Sequence, residues 1–235
     1  APSITYLTRQ TMNKTKLRLS LLLLLGSLTL GSCSKSGGNE FTAEGTITDA
    51  AGKTLYLETT DTDEPQLIDS VTLDEKGSFR FRREAHSYPA FYRLRLGESF
   101  IPFAADSVTH LTLSASGKDL FSTYKIESGD EANKQIREIG QLRTATDKAI
   151  EAILTQLNNS TLDRGVALAR IDSLSTQLKN TLTRKYIFSD PKGAAAYYAL
   201  FQSYLGGTYF SIDHPGDDRA FAAVATAYDA FHPNA

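Results

Sequence analysis

One cysteine, four histidines and a few acid clusters are the residues in this chain whose types could do chemistry. Cys33 is the only cysteine in 235 residues, which excludes a disulfide framework, a Cys-x-x-Cys redox pair and a cysteine-based metal site within the chain. A lone thiol can still serve as a nucleophile, stay free, or be alkylated to a thioether. His86, His110, His214 and His232 stand in separate contexts with no His-x-x-x-His spacing, so each is expected as an isolated surface or loop residue. Asp61-Thr62-Asp63-Glu64 has the acidity of a calcium loop but lacks the glycine and distal glutamate of an EF-hand, and reads as a solvated hairpin tip. His214-Pro215-Gly216-Asp217-Asp218 reads as a helix start with Asp217 or Asp218 as cap rather than as a metal site. There is no Gly-x-Ser-x-Gly elbow, Walker loop or Gly-x-Gly-x-x-Gly. No catalytic residue, metal or cofactor is expected.

The residues before Cys33 say which chemistry the thiol undergoes. Met12, the only methionine, is followed by Lys14, Lys16 and Arg18, then by an apolar run over 19–25 that continues to Leu30. This is a basic region, an apolar region and a small-residue cleavage site, the order of an export signal. A spanning helix needs roughly twenty apolar residues, more than this run supplies. Leu30-Gly31-Ser32-Cys33 resembles a lipobox, the tetrad cut by lipoprotein signal peptidase. Residues 12–32 are therefore expected to be a signal peptide cleaved between Ser32 and Cys33, with Cys33 carrying lipid (palmitate among the acyl chains). Residues 1–11 fit no such pattern and read as an over-extended start. Residues 33–40, including Ser34-Lys35-Ser36-Gly37-Gly38-Asn39, read as the lipidated cysteine and a flexible tether.

Residues 1–32 hold Arg9, Lys14, Lys16 and Arg18 and no acid, so of 25 basic and 27 acidic side chains the remainder keeps 21 and 27, a net charge of −6. That argues against nucleic acid, which needs a basic footprint. It also leaves the membrane contact to the lipid. The expected location is the cell envelope, lipid-anchored, in the outer membrane facing the periplasm, because no acidic run of the kind resembling a surface-export signal follows Cys33.

The elements that follow fall into two halves. Over 41–127 the pattern is β: strands over 41–47, 54–58, 68–73, 78–82, 91–96, 100–104, 108–115 and 123–126, with turns at 49–52 and 74–77, where Gly77 should take a positive φ. Phe79 and Phe81 should face inward and Arg80 and Arg82 outward. Turns every ten or so residues predict an antiparallel β-sandwich. At Ser128 the period changes to that of a helix. Ser128-Gly-Asp-Glu131 reads as a capping box, followed by the stripe Ile136, Ile139, Leu142, Ile150, Ile153 and Leu157. A second helix is expected over 162–186. A third should start at Asp190-Pro191 and stop at Gly206-Gly207, its tyrosines and alanines reading as core. A last helix holds Phe221, Val224, Tyr228 and Phe231. The fold class is α+β: a β-sandwich over 41–127 and an α-helical hairpin or bundle over 128–235.

These residues resemble a family. Gly45-x-Ile47 with Gly52-x-x-Leu55-Tyr56-Leu57, then Asp69-Ser70-Val71-x-Leu73-Asp74-x-x-Gly77-x-Phe79-x-Phe81, then Tyr92-x-Leu94 and the helical start after Gly129 follow the order seen in the β-rich domain of unknown function that precedes thioredoxin-like domains in Bacteroidota lipoproteins. The resemblance covers 41–235. It implies that the chain is truncated before a thioredoxin-like domain and that redox chemistry belongs to that domain.

Three functions follow as expectations. The first is a non-catalytic, membrane-tethered module that positions or partners a thioredoxin-like oxidoreductase domain or another envelope protein. The second is a free-standing binding module for a peptide or glycan. The third is a hydrolase whose site the motifs do not reveal.

Overall fold

Alternation of apolar and polar residues sets the first half of the structure. The computed structural model describes residues 39–60, 64–128, 130–204 and 207–235. Its strands are β1 (Glu40–Thr48), β2 (Thr54–Thr59), β3 (Gln66–Thr72), β4 (Ser78–Glu84), β5 (Ala90–Leu96), β6 (Ser99–Ala105), β7 (His110–Ser116) and β8 (Lys125–Ile126). They form two four-stranded sheets, ordered β4-β1-β7-β8 and β3-β2-β5-β6. The alternating residues Phe41, Ala43 and Ile47 of β1, Leu55 and Leu57 of β2, Phe79 and Phe81 of β4, and Tyr92, Leu94 and Leu96 of β5 all enter one apolar cluster. Both sheets therefore bury a face in the same core, as a period of two requires.

Turn chemistry holds the register. Gly77 has a φ of 70°, and a Cβ there would sit 1.9 Å from the Ile47 carbonyl oxygen. Only glycine fits this approach, which brings the Gly77 carbonyl to accept from Ile47 N at 2.8 Å.

The pairing departs from the antiparallel expectation in one place: β1 and β7 run parallel, Thr42 opposite His110 through Thr48 opposite Ser116. The chain between them passes through the whole second sheet, and a connection of that length lets β7 return in either direction. Only Lys125–Ile126 of the expected last strand is strand. Leu120–Thr123 is a short helix, α1, capped by Asp119, which accepts from Ser122 N.

The switch to helix falls between Ile126 and Glu131. Helix α2 (Glu131–Asn158) starts later than the expected capping box allows: its cap is Asp130, which accepts from Asn133 N, and Glu131 is its first residue. The reason lies upstream. Glu127 N and Ser128 N both donate to Thr112 O, so the chain is still held on β7 at Ser128. Helix α3 (Arg164–Leu182) continues into a wide turn over Thr183–Ile187. Asp190-Pro191 then forms a turn closed by Gly193 N donating to Asp190 O, and α4 (Ala194–Leu200) starts after it. Helix α4 ends before the expected glycines, because the Gln202 side chain donates to Tyr198 O at 2.7 Å and ends the ladder. A small hairpin of β9 (Ser203–Tyr204) and β10 (Gly207–Thr208) follows, then α5 (Asp218–Phe231). Ile139, Leu178, Leu182, Ala196, Leu200 and Val224 gather the helices around a second core. The described residues thus have an α+β fold.

The helices rest against the second sheet at one point. Ala104 of β6 packs with Ile136 of α2 and Ala194 of α4, and Phe91 of β5 stacks on Tyr197 at 5.2 Å. This covers one end of the outer face of that sheet.

Candidate functional site

Cys33, with Leu30, Gly31 and Ser32 of the expected lipobox, lies outside the described residues, as do Asp61, Thr62 and Asp63 of the acidic loop. The four histidines stay apart. His86 stacks on Tyr88, His110 Nδ1 lies 2.9 Å from Thr42 Oγ1, His214 Nδ1 lies 3.8 Å from Asp217, and His232 Nε2 lies 3.2 Å from Lys192 O. Among the described residues no group of three or more His, Asp or Glu side chains is placed to hold a metal ion. An open depression of about 500 Å³ is lined by Ile212, His214, Asp218 and Arg219. Asp217 is the N-cap residue of α5, as expected, but its side chain makes no bond to the first turn. Its carboxylate instead accepts from Ser211 N at 3.0 Å and pairs with Lys179 of α3 at 2.8 Å, fixing the last helix to the second core.

Two polar groupings emerge that motif reading missed. The first is internal. Asp147 of α2 accepts from Tyr209 Oη at 2.8 Å and pairs with Arg143 one turn earlier. Burial, and then the bond to Asp147, push the Tyr209 hydroxyl up, so it stays a donor, and this grouping ties the β10–α5 connection to α2.

The second grouping is on the open face of the second sheet. Arg93 and Arg95 alternate with Leu94 and Leu96 on β5, so both point away from the core. Glu58 of β2 pairs opposite Arg93 and is only 5% exposed. Its two oxygens are divided between them: Arg93 Nε donates to Oε2 at 2.6 Å and Arg95 Nε to Oε1 at 2.8 Å. Arg95 also reaches the Gly97 carbonyl at 3.1 Å. Each guanidinium lies over a ring, Arg93 over Phe100 at 5.1 Å and Arg95 over Tyr56 at 4.4 Å. Burial pushes the Glu58 carboxyl up, but the bonds from Arg95 and then Arg93 outweigh it and hold it below its ordinary value. The result is a buried carboxylate held between two cations that pair with its two oxygens. The alternation on β5 was legible as two arginines on one face. That β2 lies beside β5 was not, because pairing is a non-local fact.

The expected tyrosine-rich core is half met. Ala194, Ala195, Ala196, Ala199 and Leu200 are buried, while Tyr197 and Phe201 are exposed. No helix of the described residues is long and apolar enough to cross a membrane. No protein-family model matches the chain, and no curated protein matches it.

Proposed function

We propose that this chain is a cell-envelope lipoprotein, anchored through lipid on Cys33, whose folded part positions or partners another protein and is not itself a catalyst. The order of its motifs makes a thioredoxin-like thiol–disulfide oxidoreductase domain the expected partner, with the anchor in the outer membrane facing the periplasm. In this reading the two sheets are a β-sandwich standing off the bilayer on the Ser/Gly tether.

The observation that carries the anchored reading is the order of basic region, apolar run and Leu30-Gly31-Ser32-Cys33, and the fold adds a firmly held first strand. β1 begins at Glu40, directly after the tether sequence, and is paired on both sides, with β4 through Glu40–Thr46 and with β7 through Thr42–Thr48. Detaching β1 would therefore break two ladders rather than one.

Processing tests this. Wild type should take up labelled palmitate, and Cys33→Ala should accumulate as uncleaved precursor. Normal cleavage of the variant together with no palmitate in wild type overturns the anchor. A free-standing binding module for a peptide or glycan is the second reading, and the open Arg93–Arg95 face favours it.

A further inference from the structure

We infer that the end of the two sheets where β1 begins rests on a zwitterionic lipid surface, with Val108 leading; this deepens the anchored reading and rests on Cys33 carrying the lipid. The register fixes which connections share that end. Glu40 lies opposite Glu84, Thr42 opposite His110 and Ala90 opposite Ala105. The β4–β5 connection over 85–89 and the β6–β7 connection over 106–109 therefore flank the start of β1. Backbone bonds tie both to it: Ala85 N donates to Asn39 O at 2.8 Å, and Thr42 N to Thr109 O at 3.0 Å.

Covalent reach names the occupant. Asn39 follows Cys33 by six residues, and an extended chain spans at most about 21 Å over that length. Lipid on Cys33 therefore keeps the start of β1 within that distance of the bilayer. Strands of seven residues, as β4, β5 and β6 are, put the opposite end of the sheets roughly 20 Å from this one.

The turns at the two ends differ in kind. Each turn at the far end exposes charge: Lys53, Glu75 and Lys76, Glu98, and Lys118. At the near end, Ala85-His86-Ser87-Tyr88-Pro89 and Asp106-Ser107-Val108-Thr109 hold one carboxylate between them. That carboxylate, Asp106, is engaged within its own turn, accepting from Val108 N at 3.1 Å and from Thr109 Oγ1 at 2.8 Å. The turn is thereby fixed and holds Val108 outward, 76% exposed, where turn chemistry favours small polar residues. Among the described residues of the strands and their turns, the exposed large apolar side chains are Leu67, Ile68 and Val108 at this end and Phe100 at the other. His86 stacks on Tyr88 at 4.8 Å, an amphipathic pair suited to headgroup level. Glu40 pairs with Arg82, and Asp69 with Arg83. Glu84 and the acids Asp61, Asp63 and Glu64 of the third connection repel anionic headgroups, so the surface is zwitterionic.

The test uses the full lipidated chain in phosphatidylcholine vesicles, with Val108→Cys or Glu75→Cys carrying a thiol-reactive nitroxide. Both positions are exposed, so neither label disturbs the core. Wild type should take up no nitroxide, because Cys33 is its only cysteine and its sulfur is held as a thioether. The ratio of nitroxide collisions with oxygen to collisions with a water-soluble nickel complex should be several-fold higher at 108 than at 75. Labelling of wild type, or failure to float with the vesicles, overturns the anchor and this contact with it. Flotation with equal, aqueous ratios at both positions overturns the contact and leaves the anchor standing. A lipid-exposed ratio at 75 as well as at 108 overturns the end-on seating.

Discussion

The side-chain amide of Asn133 pairs with the backbone of Ala104 as a neighbouring strand would: its oxygen accepts from Ala104 N at 2.8 Å and its nitrogen donates to Ala104 O at 2.8 Å. The nitrogen also reaches Asp130, the cap of α2, at 2.7 Å. One buried residue thus closes an edge of the second sheet, fixes the start of a helix and joins the two halves of the fold. Asn133→Leu should leave the donor and acceptor of Ala104 buried and unpaired. A loss of about 2–4 kcal/mol is expected in urea denaturation, with faster amide exchange at Ala104. A loss under half a kcal/mol would show that this contact does not hold the halves together.

Acid should weaken the fold through Glu58. Its carboxyl lies below the ordinary value of 4.5 in the folded chain, so the folded state binds its proton less readily than the unfolded state does. The stability this adds is fully present above the unfolded value and is lost as pH falls through the folded one. Asp217, held down by Lys179 and Ser211 against the effect of burial, acts in the same direction. Glu58→Gln should cost about 1–3 kcal/mol at neutral pH, less than a fully buried pair because both guanidiniums are partly exposed. The difference from wild type should shrink in acid, as denaturation at a series of pH values will show.

Gly77→Ala should destabilise strongly. The added Cβ meets the Ile47 carbonyl oxygen, and the positive φ is strained for alanine by roughly 1–2 kcal/mol before that clash is counted. Gly52→Ala, where a Cβ would meet nothing within 4 Å, should show only the strain. Equal losses would mean the Gly77–Ile47 approach relaxes freely.

Phe81, 1% exposed, and Phe79, 5% exposed, lie in the core shared by the sheets. Truncating either to alanine should cost about 3–5 kcal/mol, read from thermal or chemical unfolding. Arg80→Ala between them should change stability by less than about 1 kcal/mol, since its pair with Glu44 is exposed.

Much was legible because it is local. The inward Phe79 and Phe81, the outward arginines and the left-handed Gly77 follow from side-chain direction and backbone sterics over a few residues. So does the break after Asn158, where Ser160 takes a positive φ of 56°. The helix starts at Ser128 and Asp190 were misplaced where a distant or neighbouring backbone bond competed for the same residue: Thr112 O held Ser128, and the turn closed on Asp190 delayed α4.

By itself the sequence determined most of the longer strands and helices, which of their faces are apolar, and the order of signals ending at Cys33. Local sterics and periodicity act within a few residues, so no partner is needed to read them. Tertiary structure alone decided that β7 returns parallel to β1, that Glu58 lies between Arg93 and Arg95, and that Asn133 reaches Ala104. Each joins residues far apart in the chain, and the register between such segments depends on how all the buried faces pack at once.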